Sequence, residues 1–510
     1  MLGVVLAVAA PAGAHAAPAG ADAAPVAAAR AARPLDAAPP GAPHAPHWVA
    51  TSDRTPSATT PDRTAAPHHA GPYAGAYRPG STGQPYRPAH AAAPDRPGRA
   101  TAPDEPGAPS PPPITAPVPP GRTPGPADGL RLPGRCPAPA SGGGEPEGPS
   151  PAQRLQLGAA HELATGAGVL VAVIDTGVAA QHPRLAGRLR GGGDYLTGGD
   201  GLDDCDGHGT AVAGLLAASP SADDEVVGIA PGATVLSVRQ SSPSVAVAAA
   251  GGGSRPAGDV TTLADAVVLA VRAGADVVNV SEAVCLPPEQ AAVEGPELQA
   301  ALRFAAESDV VVVAAAGNAG TGRCDEPDGS GSWTGQVSLP GWYDDVVTVG
   351  AVGPDDAPAE FTVGGPWVDL AAPGTGMRSL AVDGGVAGAP LAGTSFSAPW
   401  VAGLAALLRE RFPRMTAAQV VERMTATARR PAGGRDTALG AGVVDPVAAL
   451  TALPARPPAA AGTPGPVLPG TTPAAAPPAP PPVDAALGVL LAAAALAAGL
   501  LRRAAGQPGR

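Results

Sequence analysis

The sequence contains no lysine, so all 32 of its basic side chains are arginines. They are outnumbered by 44 aspartates and glutamates, which gives a net charge of −12 and an isoelectric point near 5.2. A nucleic-acid-binding protein would usually carry a basic patch or a basic overall charge. The composition therefore argues against a nucleic-acid partner, and beyond that the acidity indicates only good solubility.

Large aliphatic side chains are scarce over residues 17–135, where alanine, proline and glycine dominate. Such a segment cannot bury enough apolar surface to offset the chain entropy lost on folding, so it is predicted to be a disordered spacer with partly polyproline character. A second segment of this composition, residues 454–484, is predicted to be a linker. The stretch between them, residues 136–453, has the apolar runs that one large domain needs.

Both ends of the chain carry apolar segments. Residues 1–16 end in Ala-His-Ala and fit a secretory signal peptide, although the basic residues that usually precede the apolar stretch are missing. Residues 485–501 are uncharged, just long enough for a transmembrane helix, and followed by Arg502 and Arg503. These arginines would mark residues 502–510 as cytoplasmic and place residues 136–453 outside. The alternatives are an alanine-rich disordered tail at the start and an alanine-rich surface helix at the end.

Short strands rich in β-branched residues alternate with helices after residue 150. Strands that are apolar on both faces are typical of a parallel sheet covered by helices on both sides. The predicted strands are 169–175, 235–239, 277–281, 310–316, 346–352 and 368–371. The predicted helices are 153–163, 209–218, 262–273, 297–308, 400–412 and 417–426, and residues 241–258 are predicted to be a mobile insert. The fold class is therefore α/β, a doubly wound and mostly parallel sheet with its functional loops at the carboxyl ends of the strands.

One serine occupies a position that favours nucleophilic chemistry. Ser395 lies in the motif Gly-Thr-Ser-Phe-Ser-Ala-Pro at 393–399, directly before an apolar helix. Gly393 permits a tight backbone approach, and Pro399 falls early enough in the helix that its missing N–H costs little. Negative charge developing on a reacting carbonyl would be stabilised at this end of the helix dipole. Because serine is a poor nucleophile at neutral pH, the hypothesis requires a base and a group that orients the base.

Candidates for these groups lie upstream of the serine. Asp175 ends a buried strand, and a buried carboxylate is costly unless it is paired. His208 stands between two glycines at a predicted helix start, and Asn318 follows another strand. Taken singly, each has an ordinary structural explanation: a turn-capping aspartate, a core histidine and a turn-forming Gly-Asn pair. Taken together, Asp175, His208 and Ser395 have the chain order of the subtilisin triad.

Three motifs resemble those of subtilisin-like serine proteases: Ile-Asp-Thr-Gly at 174–177, His-Gly-Thr-Ala-Val-Ala-Gly at 208–214 and the serine motif at 393–399. Stretches at 204–208, 236–242 and 365–373 are similar to mycosins, the membrane-anchored subtilases associated with type VII secretion in actinobacteria. The resemblance covers about 130–453 and the C-terminal apolar segment. It implies a subtilisin-like fold and a membrane-anchored, extracytoplasmic serine endopeptidase that processes protein substrates of a type VII secretion system through an acyl-enzyme. The alternative is a structural subunit that stabilises the secretion complex, with proteolysis secondary.

The resemblance also implies roles for the catalytic candidates. Asp175 would orient His208, and His208 would take the proton of Ser395. Asn318 would hold the oxyanion together with the backbone N–H of Ser395.

A short segment resembles the edge of the family's substrate cleft, which binds the substrate as an added β-strand. It consists of Ser281, Glu282 and Ala283. Glu282 departs from the family pattern, in which an apolar residue is usual. Its side chain could face solvent, or it could favour basic residues near the scissile bond.

The four cysteines suggest two disulfides in an exported chain, and the residues alone allow three pairings. The resemblance to mycosins implies Cys136–Cys205 and Cys285–Cys324. The spacing Cys205-x-x-His208 could instead be half of a metal site, but the sequence has no second ligand pair with zinc-like spacing. The sequence also has no EF-hand-like loop, so no cofactor is predicted, although subtilases often bind calcium through scattered carbonyl groups.

Overall fold

The computed structural model describes residues 109–134, 136, 149–249, 253–321, 324–325, 335–388 and 390–453. The predicted signal peptide (1–16), most of the spacer (17–108), the linker (454–484), the transmembrane segment (485–501) and the tail (502–510) lie outside the described residues. Within the described ranges, no helix combines the length and the apolar character that a membrane crossing requires.

The strands in the described part of the chain are β1 (Leu170–Asp175), β2 (Leu189–Asp194), β3 (Thr234–Arg239), β4 (Ser242–Ala248), β5 (Ser254–Ala257), β6 (Val277–Val280), β7 (Val284–Leu286), β8 (Val311–Ala315), β9 (Val337–Leu339), β10 (Val347–Val352) and β11 (Val368–Pro373). Seven form one parallel sheet in the order β11-β10-β8-β6-β1-β3-β2. The other four form two antiparallel pairs, β4 with β5 and β7 with β9. All six predicted strands are present in the parallel sheet.

The edge strand β2 is the member of this sheet that the sequence pattern did not indicate. Its sequence is Leu-Arg-Gly-Gly-Gly-Asp, and its first four residues are exposed or half-exposed. Glycine weakens a strand and offers no side chain to pack, so the segment lacks the apolar run of a central strand. It pairs with β3 on one side only.

The helices in the described residues are α1 (Pro151–Arg154), α2 (Leu157–His161), α3 (His208–Ala217), α4 (Val260–Arg272), α5 (Pro288–Glu294), α6 (Pro296–Glu307), α7 (Ala398–Arg411), α8 (Ala417–Thr427) and α9 (Pro446–Thr451). They cover both faces of the parallel sheet, as alternate residues of β1 show. Val171 and Val173 pack in one core with α3 and α7. Ala172 and Ile174 pack in a second core with α4 and α6. The predicted doubly wound α/β class is thereby confirmed.

The helix predicted at 153–163 is interrupted in the structure. Ser150 begins α1 with a reciprocal capping box to Gln153, but Gln156 then adopts a left-handed backbone conformation with φ +53°. The residues on either side, Leu155 and Leu157, are both buried in the same core. In a continuous helix, residues two apart lie on nearly opposite faces, so the break allows both leucines to be buried.

The segment 241–258, predicted to be a mobile insert, contains a hairpin, and this prediction is wrong for its described residues. Strand β4 pairs antiparallel with β5. Val245 and Val247 are buried and pack beside Leu196. The valines recur with the period of two that marks a half-buried strand, a signal that the Gly/Ala/Ser-rich composition obscured.

An extended arm, residues 109–134, lies along the α/β domain, although the composition assigned it to the disordered spacer. The side chain of Arg122 contacts Asp265 of α4 (Nε–Oδ2 2.6 Å), and Arg131 exchanges backbone hydrogen bonds with Ala246 of β4. Farther toward the N-terminus, Gln299 donates to the carbonyl oxygen of Pro112. Polar contacts with the domain hold the arm, so its scarcity of aliphatic side chains did not reveal its order.

We expect Arg122→Ala to lower the free energy of unfolding by about 1–3 kcal/mol, because the buried Asp265 carboxylate loses its charged partner and keeps only the backbone N–H of residue 122 as a donor from the arm. Chemical denaturation of the purified protein measures the change. Arg131→Ala is the matched control, since this exposed arm arginine bonds the domain through its backbone. Adding Asp265→Asn to Arg122→Ala should restore part of the loss, because no unpaired charge then remains buried. Equal effects of the two arginine variants would contradict the ion-pair explanation.

Candidate active site

Three sequence-distant side chains meet at the carboxyl edge of the parallel sheet. Asp175 is the last residue of β1, His208 is the first residue of α3, and Ser395 lies in a 3-10 turn, Thr394–Phe396, that precedes α7. His208 Nδ1 lies 2.7 Å from Asp175 Oδ1, and His208 Nε2 lies 2.9 Å from Ser395 Oγ. All three residues are buried. This geometry supplies an acid, a base and a hydroxyl in one hydrogen-bonded line.

A further carboxylate, Asp204, positions the histidine. It accepts hydrogen bonds from the backbone N–H of Gly207 (2.8 Å), from Thr210 Oγ1 (2.6 Å) and from Thr176 Oγ1 (2.9 Å). Asp204 thereby connects the start of α3 to the residue that follows Asp175. Burial raises the pKa of Asp204 to about 6, although these hydrogen bonds act in the opposite direction. The signal in the sequence for this role is an acidic residue just before a predicted helix start.

Asn318 lies beside the serine with its amide orientation determined by its neighbours. Its Oδ1 accepts from both the backbone N–H (2.9 Å) and the hydroxyl (3.0 Å) of Thr394. Thr394 Oγ1 also accepts from the N–H of Gly317 at 3.1 Å. Because Oδ1 already has two donors, Nδ2 is the group that can donate to a ligand.

Gly393 keeps open the space between the serine and the asparagine. Its φ is +151°, and a Cβ atom placed on it would lie 3.1 Å from Ser395 Oγ and 3.4 Å from Asn318 Nδ2. A larger residue would be strained in this backbone conformation and would crowd both groups. The glycine of the serine motif is therefore required by the site as well as by the turn.

A small cavity of about 10 Å³ opens beside Ser395. The segment after β6 and the segment after β8 form its two sides, and Cys324 also lines it. All three residues of the predicted cleft edge, Ser281, Glu282 and Ala283, contribute to its lining. The cavity thus adjoins both the hydroxyl of Ser395 and the amide of Asn318.

Comparisons with known proteins agree with this geometry. Residues 166–442, more than half of the chain, match the subtilase family. The chain belongs to the subtilase family. Mycosin-4 of Mycobacterium tuberculosis is 45% identical over 315 residues, which cover 59% of this chain and 68% of the relative. Among solved structures, the MycP3 protease from the type VII (ESX-3) secretion system is 42% identical with a TM-score of 0.59, covering 67% of this chain and 99% of the other. A chain in an intact ESX-5 inner membrane complex is 36% identical with a TM-score of 0.61, covering 78% and 98%.

This subtilase is a serine endopeptidase with a subtilisin-like fold, as the family match and the mycosin relatives show. The paired His208 and Ser395 are compatible with a triad that includes Asp175. The resemblance inferred from the three motifs is therefore confirmed at the level of the family.

Glu282 does not have the solvent-facing placement considered for it. Its side chain is 1% exposed, so it does not face solvent. Oε1 accepts a hydrogen bond from Ser241 Oγ, and burial raises the pKa of the carboxyl group well above its usual range. A preference of Glu282 for basic residues near the scissile bond stays a prediction.

The structure has the two disulfides Cys136–Cys205 and Cys285–Cys324. The first attaches Cys136, two residues after the arm, to Cys205, which lies three residues before His208. The second connects β7 to the loop after Asn318, beside the cavity. On the loop-entropy account, closing loops of 69 and 39 residues contributes about 4 kcal/mol each as an upper figure.

The disulfide Cys136–Cys205 argues against the alternative in which Cys205-x-x-His208 is half of a metal site. Cys205 is bonded to Cys136, and His208 has both ring nitrogens in hydrogen bonds with Asp175 and Ser395. Among the residues that the structure describes, no group of three or more His, Cys, Asp or Glu side chains could hold a metal ion.

Proposed function

We propose that Asp175, His208 and Ser395 are the catalytic triad of this subtilase. His208 Nε2 removes the proton of Ser395 Oγ as the oxygen attacks the peptide carbonyl, and Asp175 holds the imidazole in the required tautomer and stabilises its positive charge. The observation that carries this proposal is the pair of contacts of His208, 2.7 Å to Asp175 Oδ1 and 2.9 Å to Ser395 Oγ.

The oxyanion of the tetrahedral intermediate would be held by Asn318 Nδ2 and the backbone N–H of Ser395. When the intermediate collapses, the imidazolium of His208 gives its proton to the leaving amine and an acyl-enzyme remains on Ser395. Water, deprotonated by His208, then hydrolyses the ester and regenerates the free hydroxyl. This role fits the orientation of the Asn318 amide, whose oxygen is already engaged by Thr394.

The substrate would bind as an extended strand along Ser281, Glu282 and Ala283 through main-chain hydrogen bonds. These residues directly follow β6 and line the cavity beside Ser395. This placement would present the scissile bond to the hydroxyl of Ser395.

The peptidase domain would lie outside the cytoplasm and be anchored by the segment 485–501. The two disulfides support an oxidising compartment, since such bonds are rare in the cytosol. A structure of the periplasmic assembly from the ESX-5 inner membrane complex contains a chain that is 37% identical to this one. The signal-like residues 1–16 and the apolar run 485–501 agree with this location in their sequence.

The substrates would be proteins handled by a type VII secretion system, since the mycosin-type structures that this chain matches come from such systems. A second function is a structural subunit of the secretion complex. It is favoured by the match to a chain within the intact ESX-5 inner membrane complex, of which 98% is covered.

The triad is tested by labelling the purified protein with a fluorophosphonate, which reacts with activated serines. We expect one adduct, on the peptide that contains Ser395, and none in Ser395→Ala or His208→Ala. An adduct that persists in His208→Ala would contradict the role of His208 as the base.

The two functions are separated by comparing Ser395→Ala with a deletion of the whole chain in its host. If proteolysis is the required activity, secretion fails in both strains. If the structural role dominates, the serine variant secretes normally and the deletion does not. Immunoblotting of culture filtrates measures secretion, and the level of the variant in the membrane fraction is the control.

A further inference from the structure

A buried carboxyl group next to the triad has no role in the mechanism above. Glu282 lies two residues beyond the end of β6, which pairs with β1. Its side chain is 1% exposed, and its Oε2 has no hydrogen-bond partner within the described part of the chain. Burying a carboxyl group in this way is costly, so the burial of Glu282 needs a reason.

Ser241 connects this carboxyl group to Asp175. The hydroxyl of Ser241 donates to Glu282 Oε1, and its backbone N–H contacts the carbonyl oxygen of Asp175 at 3.4 Å. The N–H of Gln240 also donates to that oxygen, at 2.9 Å. Because β1 lies between β6 and β3 in the sheet, the bond from Glu282 to Ser241 joins the ends of the two strands that flank Asp175.

The charges around Glu282 favour its neutral form. Burial raises the pKa of Glu282, and the carboxylate of Asp175 raises it further, while the bond from Ser241 lowers it. His208 on α3 is engaged with Asp175, and Arg239 on β3 contacts Asp194 and Asp203. The facing end of β8 leads to the uncharged Asn318. A protonated Glu282 therefore leaves one negative charge, that of Asp175, beside the imidazole.

We propose that Glu282 is a positioning residue, which acts through Ser241 to hold the end of β1 and thereby the carboxylate of Asp175 toward His208. The proposal rests on the catalytic triad assigned above. An apolar side chain at position 282 would leave the hydroxyl of Ser241 without this acceptor and the end of β1 without the cross-connection.

Removing the side chain should lower kcat more than it changes KM. We expect Glu282→Ala to lower kcat by about 10- to 100-fold, the size of effect that a small misplacement of a catalytic group produces. Ser241→Ala should have a similar effect, and the double variant should be no worse than either single variant, because both remove one connection. Glu282→Gln should recover most of the loss, since its amide oxygen can accept from Ser241. Glu225→Gln, at an exposed glutamate, is the control and should match wild type.

These rates are measured on a peptide substrate and divided by the number of active sites titrated with phenylmethylsulfonyl fluoride, so misfolded protein does not count. A kcat of Glu282→Ala equal to that of wild type would overturn the proposal. A Glu282→Gln variant as impaired as Glu282→Ala would also overturn it, because an ionised carboxylate would then be required. If Ser395→Ala keeps its activity, the triad itself is wrong, a result distinct from either of these.

Thermal stability provides a second readout that does not depend on activity. A carboxyl group with a higher pKa in the folded than in the unfolded protein stabilises the fold below about pH 4.5 and loses this contribution as the pH rises toward the folded value. Glutamine does not titrate. The melting temperature of Glu282→Gln relative to wild type should therefore increase from pH 4.5 to pH 8, whereas Glu225→Gln should show no such trend. A difference independent of pH would show that Glu282 does not hold its proton in the folded protein.

Discussion

Ser395→Ala is expected to lower kcat by on the order of 10⁶-fold, a magnitude known from the corresponding change in subtilisin rather than obtained from this structure. The reason is local: Ser395 Oγ is the hydroxyl within hydrogen-bond distance of His208 Nε2, and alanine leaves the base with no nucleophile to activate. The substitution removes only the hydroxyl of the buried Ser395, which contacts the imidazole of His208. The fold should therefore persist. Hydrolysis of a peptide substrate measures the loss, and an unchanged melting temperature serves as the control.

His208→Ala should be impaired to nearly the same degree, and the double variant should be little worse than either single variant. The residues act as one unit, so removing any essential part removes most of the advantage of the whole. Losses that add in the double variant would indicate that serine and histidine act independently, which the 2.9 Å contact between them does not support. In the expected case, the residual rate of the three variants comes from substrate binding and the oxyanion donors.

Asp175, His208 and Ser395 could be chosen as catalytic candidates because their three motifs are local and ordered. Each motif joins a reactive side chain to the small residues that its strand end or helix start requires, as Gly393 does for Ser395. The central strands were equally predictable, since each is a short apolar run buried on both faces. The structure adds that the three candidate residues lie together. Strand β1 and helix α3 bring Asp175 Oδ1 and His208 Nδ1 to 2.7 Å.

The features that escaped prediction depend on contacts between distant segments. The arm at 109–134 is held by partners such as Asp265 and the backbone of Ala246, which its own composition does not reveal. The burial of Glu282 depends on Ser241, which lies 41 residues earlier in the chain. A residue pattern reports periodicity and local preference, but it does not report which distant hydroxyl meets a carboxyl group.

Asn318→Asp is expected to lower kcat by about 10²- to 10³-fold with little change in KM, a range taken from the oxyanion donor of subtilisin. Aspartate keeps an oxygen that can accept from the N–H and hydroxyl of Thr394, so the turn remains supported. It replaces the Nδ2 donor with an oxygen that repels the developing oxyanion. The loss is therefore confined to the transition state, because the donor acts on a charge that the bound substrate does not yet carry.

Thr394→Val distinguishes the loss of the Asn318 amide donor from the loss of the Thr394 hydroxyl that supports Asn318. This variant removes the hydroxyl that donates to Asn318 Oδ1 and accepts from Gly317, but it leaves both the backbone N–H of Thr394 and the amide donor in place. Its kcat should therefore fall by less than that of Asn318→Asp. If Thr394→Val proved as damaging as Asn318→Asp, displacement of the turn would explain both losses. A near wild-type rate for Asn318→Asp would mean that the amide does not stabilise the oxyanion, and the backbone N–H of Ser395 would remain as the donor.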